Sequence, residues 1–393
     1  MMPGLWGAVC QWHTFSTDRS EYEDTKYGTI RKASFDPNII QYNVSQIITG
    51  SFHMTTIKDI ANRAGVSTTT VSNVIHGKTS KVSPATIELI ENLIHEMGYV
   101  QKMGLSILSN SNSKMIALVI RTHKKYEDAV ISDPFYGKII GFIEEKLRIN
   151  GYYIMLYSTD DVNEVFRTVM AWNIDGVIAL SFSRNDCNKM WSLIHKPVIS
   201  IDAYGISHDD TPVTNIGLDD FTGGSLMVEY FLECGYQNIF VCATSDYGVD
   251  QTRWKGAKEA FDKLAGNDSS KKIRLVNIGE TALTRESFYQ QLIRRIPFPQ
   301  KTAAFFLSDY FAMEAISYLA SKGIRVPADI GIAGFDDITY AHLTVPKLTT
   351  IHQDMEKKAE LAVSELLKAV QDPAIYIGKE ALLDVILIAR DSI

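Results

Sequence analysis

From Thr55 onward the apolar residues fall into three short helical stripes. Ile57, Ile60, Ala61 and Ala64 share one face, and Gly65 follows where a helix would end. The run Thr56–Asp59 has capping-box spacing, with a hydroxyl at the N-cap and a carboxylate three residues on. Ser67 is placed to cap a second stripe of Val71, Val74 and Ile75, which Gly77 ends. Ser83 and Pro84 give a cap followed by proline at the first helical position. Ile87, Ile90, Ile94 and Met97 then form the third stripe before Gly98.

Beyond this headpiece, residues 54–100, lies a Ser/Asn-rich stretch, 101–113, that reads as a hinge linker. The region 114–393 then alternates strand-like with helix-like runs. Apolar strands are predicted at 115–120, 153–157, 176–180, 197–201, 239–243, 273–278, 303–307 and 330–334. Helix-like stretches fill the gaps between them, for example at 135–149, 220–234, 252–264 and 309–322, with a late helix at 354–370. Such alternation calls for parallel sheets covered on both faces. Two doubly wound α/β lobes satisfy it better than one barrel, since neither a catalytic set nor a phosphate loop stands at the strand ends. Residues 1–53 carry no sustained period. They read either as a poorly ordered extension or as sequence upstream of a true start at Met54.

Composition narrows the class only modestly. A chain of 393 residues with 46% apolar and 22% charged residues is long enough for two or three folding units. A net charge of −7 argues against coating nucleic acid over the whole surface, yet leaves room for one DNA-touching module. Cys10, Cys187, Cys234 and Cys242 show neither a CxxC pair nor ligand spacing, which fits a reducing cytoplasm and no structural metal. No apolar run approaches the ~18 residues of a membrane span, and Met1–Cys10 lacks the basic flank and apolar core of a signal peptide.

Two short helices joined by Ala64–Gly65–Val66–Ser67 form a helix-turn-helix. The second would expose Thr68, Thr69, Ser72, Asn73 and His76, donors and acceptors of the kind that read base edges. Thr56 and Lys78 join this DNA-facing set, and Lys58, Arg63 and Lys81 flank it for phosphates. A three-helix module that packs against another protein satisfies the same spacing.

The run from Thr56 to Lys78, continued by Val82-Ser-Pro-Ala-Thr and Met97-Gly-Tyr99, resembles the headpiece of the lactose/galactose repressor family. Further motifs stand in the family's order: Asp133-Pro-Phe-Tyr136, Ile174-Asp-Gly-Val-Ile178, Arg253-Trp-Lys-Gly256, Gly334-Phe-Asp-Asp337 and Leu348-Thr-Thr-Ile-His-Gln353. The resemblance implies a sensor with the two-lobed fold of periplasmic sugar-binding proteins. It also implies an operator in double-stranded DNA, a small-molecule effector, most simply a sugar, and a homodimer. A chain starting at Met54 has the family's usual length. By motif position the resemblance nominates Asp202, Arg253, Ser308, Asp309 and Asp336 as polar effector contacts, with Phe135 and Met355 as apolar walls. It assigns Leu108 to the hinge leucine that wedges into the minor groove.

Each nominee also has a plainer role. Asp309 reads equally well as a helix N-cap, Asp336 as a turn cap, Arg253 as an internal partner of Asp336, and Leu108 as packing against a second hinge. Departures from the family carry information too. The recognition-helix position often held by arginine is Asn73, which suits adenine better than guanine. Ser106 and Ser109 weaken the hinge helix. An aromatic expected after the strand ending near Gly279 is replaced by Glu280 or Thr281, and an arginine after Asp202 by Ala203. Both departures point to an effector that is charged or bulkier than those of the best-known members. The rivals are a regulator of this fold triggered by a protein partner and a solute-binding protein with no DNA role. An enzyme is disfavoured, because no GxGxxG, Walker loop, GxSxG or HExxH and no cofactor motif occurs.

Overall fold

The computed structural model describes residues 55–75, 77–99, 113–122, 130–205, 213–266, 268–373 and 377–393. The expectations for residues 1–53, for His76, for Leu108 and for most of the hinge fall outside them. The chain divides into two compact units that meet in sequence between Gln101 and Lys102.

The first unit holds three helices, α1 (Ile57–Ala64), α2 (Thr68–Ile75) and α3 (Pro84–Glu96). The capping box on α1 is reciprocal: Asp59 Oδ2 accepts from the Thr56 amide at 2.8 Å, and Thr56 Oγ1 accepts from the Asp59 amide at 3.3 Å. Gly65 ends α1 in the left-handed region at φ 69°. Ser67 Oγ accepts from the Thr70 amide and Ser83 Oγ from the Thr86 amide, so both remaining helices start on a hydroxyl cap. Ile60, Ala61, Val71, Val74, Ile90 and Leu93 form the core. The buried positions of α3 are Ile90 and Leu93, and Ile87, Ile94 and Met97 pack around them half-buried.

The second unit contains two six-stranded sheets. The first half of the unit runs β1 (Met115–Ile120), α4 (Pro134–Ile149), β2 (Tyr153–Ser158), α5 (Val162–Ala171), β3 (Gly176–Leu180), α6 (Arg184–Ile194), β4 (Val198–Ile201) and β5 (Thr214–Leu218). There follow α7 (Asp220–Glu233), β6 (Asn238–Ala243), α8 (Gly248–Ala265), β7 (Lys272–Asn277), α9 (Ala282–Ile293), β8 (Thr302–Phe306), α10 (Asp309–Ser321), β9 (Gly331–Asp336) and β10 (Thr349–Gln353). The chain closes with α11 (Met355–Gln371), β11 (Glu380–Leu383) and β12 (Val385–Ile388).

The first sheet has the order β11-β5-β4-β3-β1-β2 and is parallel throughout. The second has the order β12-β10-β9-β8-β6-β7, parallel except for β12 against β10. Strands such as β3, β4 and β6 are buried on both faces, which explains their unbroken apolar runs. The chain passes between the lobes after β5, between β10 and α11, and between β11 and β12. Helix α11 belongs to the first lobe, where Met355, Ala359, Ala362 and Leu366 pack with Ile116, Ile178 and Ile199.

Candidate functional site

On the headpiece, Thr56, Thr68, Thr69 and Lys78 are exposed, while Ser72 and Asn73 are half-buried on α2. Val71 and Val74 of the same helix point into the core, so one face is anchored and the other is polar. Lys58 and Lys81 are exposed as well. Arg63, also expected among the phosphate-binding residues, is exposed and donates to Glu96 at 2.7 Å.

In the sensor, the carboxyl ends of parallel strands from both lobes border one cleft of about 290 Å³. This lies at the small end of the ~300–1,000 Å³ range of ligand pockets. Arg121 follows β1, Asp160 follows β2, Ser181 follows β3 and Asp202 follows β4 on one side. Thr244 and Ser245 follow β6, Glu280 follows β7, Ser308 follows β8, and Asp336 and Gln353 end β9 and β10 on the other. Ser181, Asp202 and Asp336 all have positive φ, at 62°, 53° and 120°. Three strained non-glycine residues on one cleft mark a place where geometry outweighs backbone comfort.

Arg253 on α8 donates from Nε to Asp220 Oδ1 at 2.8 Å and from Nη1 to the Leu307 carbonyl at 2.6 Å. Its guanidinium carbon lies 3.5 Å from the Phe335 ring centroid. Burial opposes its charge, but Asp220, Asp336 and Asp250 outweigh that and hold its pKa above the usual value. Asp336, 6% exposed, is pushed up to about 7 by burial. The Asp133 charge adds to the rise, while Arg253, the Gln353 amide and Lys358 oppose it. At the mouth, Arg121 donates to the Tyr204 hydroxyl and pairs with Asp186 at 3.4 Å, and Tyr204 packs 5.7 Å from Tyr247 of the other lobe. The lining holds two guanidiniums, Arg121 and Arg253, against six carboxyls: Asp133, Asp160, Asp202, Asp250, Glu280 and Asp336.

Of the sequence nominees, Phe135, Asp202, Arg253, Ser308 and Asp336 come together in this lining. Asp309 does not: it is fully buried, and its oxygens accept from Thr350 Oγ1 at 2.5 Å and from the Ile338 amide at 2.9 Å. It braces the start of α10 against β10, and burial followed by the Asp336 charge raises its pKa well above the usual range. Met355 is 2% exposed within the first lobe's core and is no cleft wall, because it begins α11 on the buried side of that helix. Arg253 pairs with Asp220, not with Asp336. Sequence reasoning missed Arg121, Tyr204, Tyr247 and Phe311, which lie at loop and helix starts without a motif. Glu280, singled out only as a departure, lines the cleft, its carbonyl held by Arg285 Nη1 at 3.0 Å.

A polar-faced helix-turn-helix and a two-lobed ligand-binding sensor define a DNA-binding regulator with its own sensing domain. Residues 56–102 match the model of bacterial regulatory proteins of the lacI family, and residues 228–393 match that of the periplasmic binding protein-like domain. The chain is 30% identical over 329 residues to the HTH-type transcriptional repressor PurR of Haemophilus influenzae (strain PittEE), covering 81% of this chain and 91% of that protein. It is also 30% identical over 310 residues to the HTH-type transcriptional regulator DegA of Bacillus subtilis (strain 168), covering 77% and 88%. A lac repressor dimer bound to operator and the anti-inducer ONPF shares the fold, with a TM-score of 0.70 at 24% identity over 86% of this chain and 99% of that one. The transcriptional regulator CelR in complex with cellobiose aligns with a TM-score of 0.61 at 25% identity, covering 86% and 99%. The chain belongs to the LacI family of bacterial regulatory proteins and is a DNA-binding transcription regulator. Among the described residues no helix is long and apolar enough to cross a membrane, and no group of side chains is arranged to hold a metal ion.

Proposed function

We propose that this regulator is a repressor whose operator affinity is set by a small polyhydroxyl effector, most simply a sugar without phosphate or carboxylate, bound in the sensor cleft. The observation that carries this reading is the lining itself: six carboxyls and the Arg253 guanidinium beside the rings of Phe135, Tyr204 and Tyr247. Carboxylates accept from hydroxyls, a guanidinium donates in a fixed fork, and aromatic faces cover the C–H side of a sugar. With Asp202 balanced by Lys358 and Asp336 near its midpoint at pH 7, Asp133, Asp160, Asp250 and Glu280 still outnumber the two guanidiniums of the cleft. They repel an anion, so of a charged or a bulkier effector the anionic kind is disfavoured. CelR, a relative by structure, is seen with cellobiose, which supports the ligand class.

Thr68, Thr69, Ser72, Asn73 and His76 would read base edges, with Thr56 and Lys78 on the backbone and Leu108 in the minor groove. Effector binding shifts the population of lobe arrangements, and coupling of about 1–3 kcal/mol is typical of such linkage. The working form is a homodimer: Ile149 and Tyr153 beside the β2 edge, and Leu283, Leu343 and Val345 on the second lobe, expose 61–89% of their surface. Free Cys187, Cys234 and Cys242 suit the reducing cytoplasm, where the DNA is. The protein performs binding without catalysis.

Operator binding by the full chain to its own upstream DNA, titrated with neutral sugars and their phosphates, tests the reading. Neutral sugars are expected to change the operator Kd at least fivefold. A response confined to sugar phosphates, or none across a broad sugar panel, overturns it.

A further inference from the structure

The floor of the cleft contains a cation that does not line it. Lys358, on α11, is 0% exposed. Its ammonium donates to both oxygens of Asp202, at 2.8 and 2.9 Å, and to Gln353 Oε1 at 2.7 Å. An ammonium has three donors, and all three are used. Gln353 Nε2 in turn donates to Asp336 Oδ1 at 2.6 Å. One chain of charge-assisted bonds therefore runs from Asp202, at the end of β4 in the first lobe, to Asp336, at the end of β9 in the second.

Asp202 keeps 13% of its side chain exposed and borders the cleft, while Lys358 approaches it from the protein side. A buried ammonium is tolerated only with such a partner. The ligand thus meets Asp202 as a hydrogen-bond acceptor whose charge is already balanced from behind. A ligand ammonium placed there would gain little from Asp202 and would be repelled by Lys358 at close range in a medium of low dielectric.

We propose that Lys358 is a specificity-determining residue of the effector site: it supplies internally the positive charge that an amine-bearing ligand would otherwise supply to Asp202, and so restricts the cleft floor to hydroxyl groups. The selectivity part rests on the effector reading above. The charge-balancing part does not.

The test uses the full chain and two probes. Lys358→Met removes the ammonium while keeping most of the stem volume, and Lys358→Ala excises the whole stem. Ammonium, which matches the single missing nitrogen, is the probe for the first variant and propylammonium for the second, with sodium at equal ionic strength as control. Each amine is expected to raise the variant's Tm by several degrees, or to restore soluble protein where the variant alone does not fold. The wild type is expected not to respond, and addition of Asp202→Asn should abolish the effect. Variants that ignore the amines, or respond equally with Asp202→Asn present, overturn the proposal.

In the second arm, the ratio of Kd for D-glucose to D-glucosamine, and for D-galactose to D-galactosamine, is expected to move at least tenfold toward the amine in Lys358→Met. An unchanged ratio in a folded variant also overturns the proposal. Sugars that bind neither protein sink the sugar reading, while the amine response still decides the role of Lys358.

Discussion

Arg253 and Asp220 form an ion pair buried on both sides, with 8% and 9% of their side chains exposed and Nε 2.8 Å from Oδ1. The pair joins α8 to the first turn of α7, and Arg253 also lines the cleft. Removing one partner leaves the other charge buried and unpaired, at a cost of about 3–5 kcal/mol. Arg253→Leu is therefore expected to lower stability by that order and to abolish effector binding. The double variant Arg253→Leu with Asp220→Leu should recover part of the stability and none of the binding. Denaturant unfolding together with ligand titration checks this, and a double variant no more stable than the single one contradicts it.

Asp336 carries a pH dependence of definite sign. Its folded-state pKa of about 7 stands above the ~3.9 of an unfolded aspartate. The folded state therefore holds the proton more tightly between those values. Its stabilising contribution is full below pH ~4 and is lost as pH rises toward about 7, by at most about 1.4 kcal/mol per pH unit. Thermal unfolding at pH 5, 6, 7 and 8 is expected to show a falling Tm that levels off above pH 7. Asp336→Asn should flatten that slope, and an Asp336→Asn profile that parallels the wild type contradicts the assignment.

Asn73 stands on the polar side of α2 between Val71 and Val74, which are buried. An amide pairs in a bidentate manner with adenine and a guanidinium with guanine. Asn73→Arg is expected to move the preference at one operator base pair from A·T to G·C, with about 1–3 kcal/mol of discrimination. Binding to operators swapped at each position reads this out. Identical position preferences for the two proteins would exclude Asn73 from base reading.

Much of this architecture was legible in the sequence because a single signal dominated each part. The headpiece showed period, caps and terminating glycines together, and the apolar strands β1, β3, β6 and β8 announced themselves by unbroken runs. The reading failed where polar side chains are buried in pairs. Strand β5, Thr-Asn-Ile-Gly-Leu, looks unlike a strand, yet Asn215 accepts from Ser200 Oγ and the Ala203 amide and donates to Glu380. Helix α9 has no clear apolar stripe because Arg285, 4% exposed, is matched by Glu314 at 2.6 Å. The cleft was legible through its motifs. The roles of Asp309 and Met355 were not, because a residue beside a site and a residue in it share the same motif position. Lys358 gave no signal at all: on a helix it reads as one more surface lysine.

Arg253 is held in place by the close packing of two helices. Helices α7 and α8 approach so closely that a Cβ at Gly256 would fall on the carbonyl oxygen of Phe221, and one at Gly224 on that of Arg253. Both obstacles are backbone, so no rotamer change relieves them, and Gly256→Ala must push the helices apart. The ~1 kcal/mol gained in helix propensity is opposed by strain of about 1–3 kcal/mol or more. Separation would shift Arg253, one turn upstream on α8, away from Asp220 and from the cleft. Gly256→Ala is expected to lower Tm and to weaken effector binding at least tenfold, while effector-free operator binding persists. Gly141→Ala on α4 is the control, since nothing lies within 4 Å of a Cβ there and that position is exposed. It should leave effector affinity unchanged and raise stability by up to ~1 kcal/mol. Equal losses of effector affinity in both variants would show that the α7–α8 contact does not position Arg253.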